Sequence, residues 1–245
     1  MRSVSWKWWI CCLLLLATML NYMDRLTLNL TIVRIMHDFG LSVTEYARLE
    51  SAFSLAFGAG ALFFGWLADR WNVRLLYPLV VLAWSAAGFV TGLSWSFGSL
   101  LVCRFLLGLT EAGHWPCAIR TTQRILPAGE RTMGNSLLQS GAALGSVLTP
   151  MVVLALVMEP APWERPEWVA GAIGSTATST AFGVAAGAGL AAWLVPVYQP
   201  GAWRYPFWVI GGLGIFWVAG WLISMRRTDW TGPAGWGGAP PPPPR

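Results

Sequence analysis

The sequence predicts an all-α polytopic membrane protein, and three observations carry that prediction. Of its 245 residues only 11% are charged and 56% are hydrophobic, whereas soluble chains are roughly a quarter charged. Mean hydropathy is +0.55. Six apolar stretches reach about the length that crosses roughly 30 Å of hydrocarbon. Together these exclude a soluble domain, a disordered chain and a collagen-like one.

The stretches fall at 8–30, 47–68, 75–95, 99–119, 133–158 and 204–225. Arg2 and Lys7 precede the first, which lacks a small-residue cleavage site and therefore reads as an uncleaved span. Asp69, Arg70 and Arg74 follow the second, Arg120, Arg124 and Arg131 the fourth, and Arg226 and Arg227 the sixth. The positive-inside rule then puts the N-terminus and the even-numbered exits in the cytoplasm of a multi-pass cell-membrane protein, the inner membrane if bacterial. Arg34 and Arg48 run against the pattern, among His37, Asp38, Glu45 and Glu50.

Four units follow. Residues 1–158 hold spans one to five, 159–201 a Pro-rich and then Gly/Ala-rich insertion, 202–227 the last span, and 228–245 a tail with five consecutive prolines. The insertion is long enough to cross once, but a crossing would strand Arg226 and Arg227 outside; a re-entrant hairpin, paired short helices or a surface excursion keeps the charge rule. The tail cannot be helical and reads as disorder or polyproline II.

The net charge of +5 sits in short clusters between spans, which orient the chain in lipid and form no nucleic-acid patch. Cys11, Cys12, Cys103 and Cys117 lie inside apolar runs, without zinc or disulfide spacing. His37 and His114 have no second ligand at metal spacing, so neither a metal nor a cofactor is expected. An intramembrane protease would need Gly-x-Ser-Gly, and Leu138-Gln139-Ser140-Gly141 lacks the first glycine. The chain is not expected to be an enzyme.

Ionisable groups inside spans mark function by default, because each costs several kcal/mol unless paired or wet. Span one carries Asn21-Tyr22-Met23-Asp24-Arg25 and Asn29; Thr18, Asn21, Arg25 and Asn29 share a helical face with Asp24 at its edge. Asp24 lies about 24 Å along from Trp8, in the outer quarter of the core or at its headgroup boundary. Span four carries Arg104, Gly108, Glu111 and Trp115 on one face. Arg104 is about 7 Å deep, level with Asp24, so an ion pair between them is allowed. Glu111, near the midplane and isolated, reads as a group that gains and loses a proton. Span five adds Asn135, Gln139 and Ser146 as a mild polar face, with Gly141 and Gly145 permitting close helix approach.

The loop Gly65-Trp66-Leu67-Ala68-Asp69-Arg70-Trp71-Asn72-Val73-Arg74 resembles the Gly-x-Leu-Ala-Asp-Arg-x-Gly-Arg-Arg loop of the major facilitator superfamily. Asn72 stands for the usual glycine and, tolerating left-handed backbone, preserves the turn. Asn-Tyr-Met-Asp-Arg in span one and Arg104-Phe-Leu-Leu-Gly-Leu-Thr-Glu-Ala-Gly-His-Trp-Pro116 in span four are similar to the anion:cation symporters, the hexuronate, galactonate and sialin group. His114 departs from the asparagine usual there.

The resemblance implies a six-helix half of a major facilitator fold that transports an organic anion, a sugar acid or similar carboxylate, coupled to protons. It implies Arg25 as the site of the substrate carboxylate, assisted by Tyr22 and Gln139. Asp24 and Glu111 become the proton-coupling acids with Arg104 as their electrostatic partner, and Asp69, Arg70 and Arg74 a cytoplasmic latch. Full carriers enclose the solute between two halves. The expected partners are therefore the anion, protons, lipid, and a second six-helix half or a second copy; the alternative is a non-transporting remnant or membrane interaction module.

Overall fold

The computed structural model describes residues 4–157 and 201–226, which form seven α-helices and one 3-10 turn. They are α1 (Val4–Phe39), α2 (Val43–Arg70), α3 (Val73–Thr91), α4 (Phe97–Glu111), α5 (His114–Ile125), the turn at Ala128–Glu130, α6 (Arg131–Val157) and α7 (Arg204–Arg226). The expected tail, and the expected insertion apart from Gly201, lie outside the described residues. Five helices, α1, α2, α3, α6 and α7, are long and apolar enough to cross a membrane.

The fourth apolar stretch is broken into α4 and α5, not the continuous helix the sequence predicts. Pro116 has no N–H for the carbonyl of Ala112, and the chain tightens there: Gly113 N donates to Thr110 O at 3.2 Å before Cys117 N resumes the α pattern at Gly113 O. α4 and α5 thus meet at Ala112 and Gly113, directly beside Glu111.

Two sequence details set the other ends. Ser42 and Glu45 form a reciprocal capping box that starts α2. α1 runs past residue 30 to Phe39 and stops in a Schellman turn, with Gly40 at φ +63° and Leu41 N bonded to Met36 O. Its 36 residues extend about 54 Å. Arg34 therefore lies on a helix, with Nη1 donating to Val157 O at 3.0 Å, which explains its departure from the charge pattern. Asn72 is not left-handed; at φ −73°, ψ 107° its side chain accepts from Arg74 N and caps α3.

The helices pack as α1 on α6 and α7, α2 on α4, and α3 on α4 and α7. The main core runs from Ile10 through Tyr77 and Trp84 to Trp217 and Trp221. A second cluster, Leu28, Ile32, Ile35, Leu49, Leu100, Trp203 and Phe207, fills the far end. At the Arg-rich end Trp9 bonds Ser224 and Lys7 bonds Glu130. At the opposite end Trp203 bonds Asp38 and Arg204 bonds the Ser94 carbonyl. Val153 and Val157, closing α6, cluster with Ala202, which precedes α7. The two chain ends that flank the insertion therefore sit at one end of the bundle.

Candidate functional site

Three helices, α1, α2 and α4, supply the charged centre. Gly108 of α4 meets the Phe53 backbone carbonyl of α2, and Gly60 of α2 meets the Leu109 carbonyl of α4; neither position has room for a Cβ. That approach brings Glu50 and Phe53 of α2 against Arg104 and Glu111 of α4. On α1, Gly141 and Gly145 of α6 press against Leu15, Met19 and Tyr22, the close helix approach expected from the glycines.

Arg25 projects from α1 with 29% of its side chain exposed. Its Nη2 donates to Glu111 Oε2 at 3.1 Å, and its Cζ lies 4.8 Å from the Phe57 ring, 5.2 Å from Phe53 and 5.6 Å from Tyr22. Glu111 is fully buried but not isolated, which corrects the sequence reading: helical depth placed it at the midplane and said nothing of α1 turning Arg25 toward it. Among the described residues, Glu111 Oε1 and Arg25 Nε have no hydrogen-bond partner.

The allowed Asp24–Arg104 ion pair is not formed. Arg104, fully buried, donates from Nη2 to Glu50 Oε1 at 2.6 Å. Both guanidinium groups flank the same ring, since Arg104 Cζ lies 5.0 Å from Phe53. The resulting array reads Glu111, Arg25, Phe53, Arg104, Glu50. Asp24 lies buried in the bundle, 1% exposed, with neither oxygen hydrogen-bonded among the described residues.

Nearly two turns below Asp24, at Thr18 of α1, lies a buried network around His114. His114 Nε2 is 3.0 Å from Thr18 Oγ1 and Nδ1 is 2.9 Å from the Tyr77 hydroxyl. The Thr18 hydroxyl donates to Leu14 O, so it accepts from Nε2–H, and Nδ1 accepts from Tyr77. Hydrogen bonding thus assigns a neutral Nε2–H ring. This ring ties α1 and α3 to the first residue of α5, at the break.

Of the remaining expected residues, Tyr22 is half-buried beside Arg25, and Gln139 lies on an exposed face of α6. Asn135 accepts from Thr122, an interhelical contact that accounts for it. At the Arg-rich end Asp69 accepts from Arg120 of α5, and Arg70 folds back over Trp66, its Cζ 4.4 Å from the ring. Arg74 N belongs to the Asn72 cap and its carbonyl accepts from Trp221. The described residues contain no group of three or more His, Cys, Asp or Glu that could hold a metal. Sequence reasoning missed Glu50, which it grouped with loop charges; its spacing to Phe53, Phe57 and Gly60, at i+3, i+7 and i+10, is the signal that places it on the inward face.

A family model, Major Facilitator Superfamily, matches residues 14–178. A probable sulfoacetate transporter of Cupriavidus necator is 32% identical over 152 residues, 62% of this chain and 35% of that protein. The hexuronate transporter of Escherichia coli is 26% identical over 168 residues, 68% and 38% of the respective lengths. A probable L-galactonate transporter from the same species is 30% identical over 146 residues, 60% and 32%. Among solved structures, an inward-facing, unoccupied bacterial homolog of the human lysosomal transporter Spinster superposes with TM-score 0.72 at 22% identity, covering 99% of this chain and 47% of that one. The chain thus spans about a third of the length of these curated relatives.

Proposed function

This chain belongs to the major facilitator superfamily, and from that premise we propose that it forms one six-helix half of a proton-coupled carrier for an organic anion such as a sugar acid. The observation that carries the reading is Arg25. It is a partly exposed guanidinium backed by three aromatic rings, with one carboxylate partner and an unpartnered Nε among the described residues. A solute carboxylate can replace or share Glu111 there through charge-assisted bonds.

Tyr22 borders that position, and Gln139 would reach the solute only from the exposed face of α6. In this reading Asp24 and Glu111 carry protons, Arg104 balances them, and Asp69, Arg70 and Arg74 with Arg120 latch the cytoplasmic side of a cell-membrane protein whose N-terminus is cytoplasmic. The relatives named above are described as a probable sulfoacetate transporter, a hexuronate transporter and a probable L-galactonate transporter, and all three named solutes are anions that a fixed cation would suit.

The other wall of the cavity belongs to a second six-helix half or a second copy. The test is uptake of radiolabelled glucuronate, galactonate or sulfoacetate into vesicles under an inward proton gradient, with the chain present as a monomer, as a tandem of two copies, or with a second half. Saturable uptake by an assembly and none by the monomer is expected. No uptake of any of these anions by any assembly favours the non-transporting interaction module.

A further inference from the structure

Glu50 has no role in the function proposed above, yet it holds Arg104, which does. It stands one turn before Phe53 on α2, its side chain 33% exposed, and binds Arg104 Nη2 at 2.6 Å. Arg104 keeps two further donor positions, Nε and Nη1, without an acceptor among the described residues, although the side chain is fully buried. Asp24 is the complementary case, a buried acid whose two oxygens lack a donor among the described residues, with Arg104 and Glu111 as the neighbouring charges. Unmade bonds to buried charged groups cost free energy on both sides. One guanidinium is therefore offered to two acids and holds only the exposed one.

We propose that Glu50 is the alternate counter-ion of Arg104, which exchanges between Glu50 and Asp24 as the proton moves between the two acids. With Arg104 on Glu50, Asp24 is the neutral acid. When Asp24 releases its proton through water to Glu50, the Asp24 carboxylate takes Arg104, and Glu50, now neutral and open to water, can pass the proton on. The three groups carry no net charge in either arrangement, which avoids placing an unpaired ion in the membrane interior. The other groups facing Glu50 are Tyr46, one turn earlier on α2, and Glu111 on α4 with its partner Arg25. None of these binds Arg104 in the structure. The proposal rests on reading Asp24 as a proton-coupling acid and makes Glu50 the positioning residue for its countercharge.

Dicyclohexylcarbodiimide adds to neutral carboxyls in apolar surroundings, so mass spectrometry of the labelled full-length chain in detergent reads which acid is unpaired. Asp24 should be labelled in the unmodified protein. In Glu50→Gln the guanidinium loses the acid it holds and turns to Asp24, and labelling there should fall about tenfold, as in a two-state shift; unchanged labelling overturns the proposal. Asp24→Asn gives a second reading should Glu50→Gln fail to fold. With no competing acid Arg104 stays on Glu50, so modification of Glu50 by a water-soluble carbodiimide should drop below its level in the unmodified protein; an equal or higher level overturns the exchange. Labelling requires neither solute nor second half, so failure of anion uptake would leave this result readable, and the converse holds.

Discussion

Gly88 of α3 faces the Asp24 carboxylate of α1 so closely that a Cβ there would stand 2.8 Å from Oδ1. A glycine thus sets the position of a buried acid on another helix. Gly88→Ala should press on Asp24 and cost about 1–3 kcal/mol through overpacking. Gly108→Ala should cost more, because the Cβ meets the Phe53 backbone, which cannot turn away as a carboxylate can. A thiol-reactive dye reporting exposure of the buried Cys11, Cys103 and Cys117 during thermal unfolding measures both; equal melting of Gly108→Ala and the unmodified chain would remove the close-approach argument.

His114 joins the α4–α5 break to α1 and α3 through two hydrogen bonds. His114→Ala opens a cavity and strands the Tyr77 hydroxyl, at an expected loss of about 2–4 kcal/mol. Tyr77→Phe removes one bond and keeps the packing, so about 1 kcal/mol is expected. The same melting assay should rank them in that order, and the reverse order would make the bond of the Tyr77 hydroxyl, not the volume that His114 fills, the dominant contribution.

Arg25→Ala and Glu111→Gln should separate binding from coupling. Removing the guanidinium weakens anion binding by several kcal/mol if the contact is charge-assisted and desolvated. Glu111→Gln retains a neutral group of the same shape beside Arg25, so binding or exchange should persist while gradient-driven accumulation is abolished. Both quantities are measured for both variants in one preparation of a competent assembly. Full proton-driven accumulation by Glu111→Gln would make that acid structural.

Orientation is tested by single cysteines in a chain whose four native cysteines are replaced. Thr44 and Gly129 are exposed at opposite ends of the bundle. An impermeant maleimide added to intact cells should label position 44 and spare 129. Labelling of 129 alone would invert the assignment of the Arg-rich end to the cytoplasm.

The sequence by itself determined the helical class, the approximate positions of the long apolar helices and the residues worth suspecting. Hydrophobic length and helical period are local properties, and they survive whatever the helices pack against. They located Asp24, Arg25, Arg104 and Glu111, and they foresaw the close approach at Gly141 and Gly145. Tertiary structure alone decided which acid meets which arginine. Depth along a helix allowed Asp24 and Arg104 to pair, but the rotation of α1 and the Gly60–Gly108 contact between α2 and α4 put Glu50 in reach of Arg104 and turned Arg25 to Glu111. Ion pairs between helices depend on azimuth as well as height, and azimuth is set by close-packed side chains from several helices at once. A single chain read residue by residue carries height; only the packed bundle carries the rest.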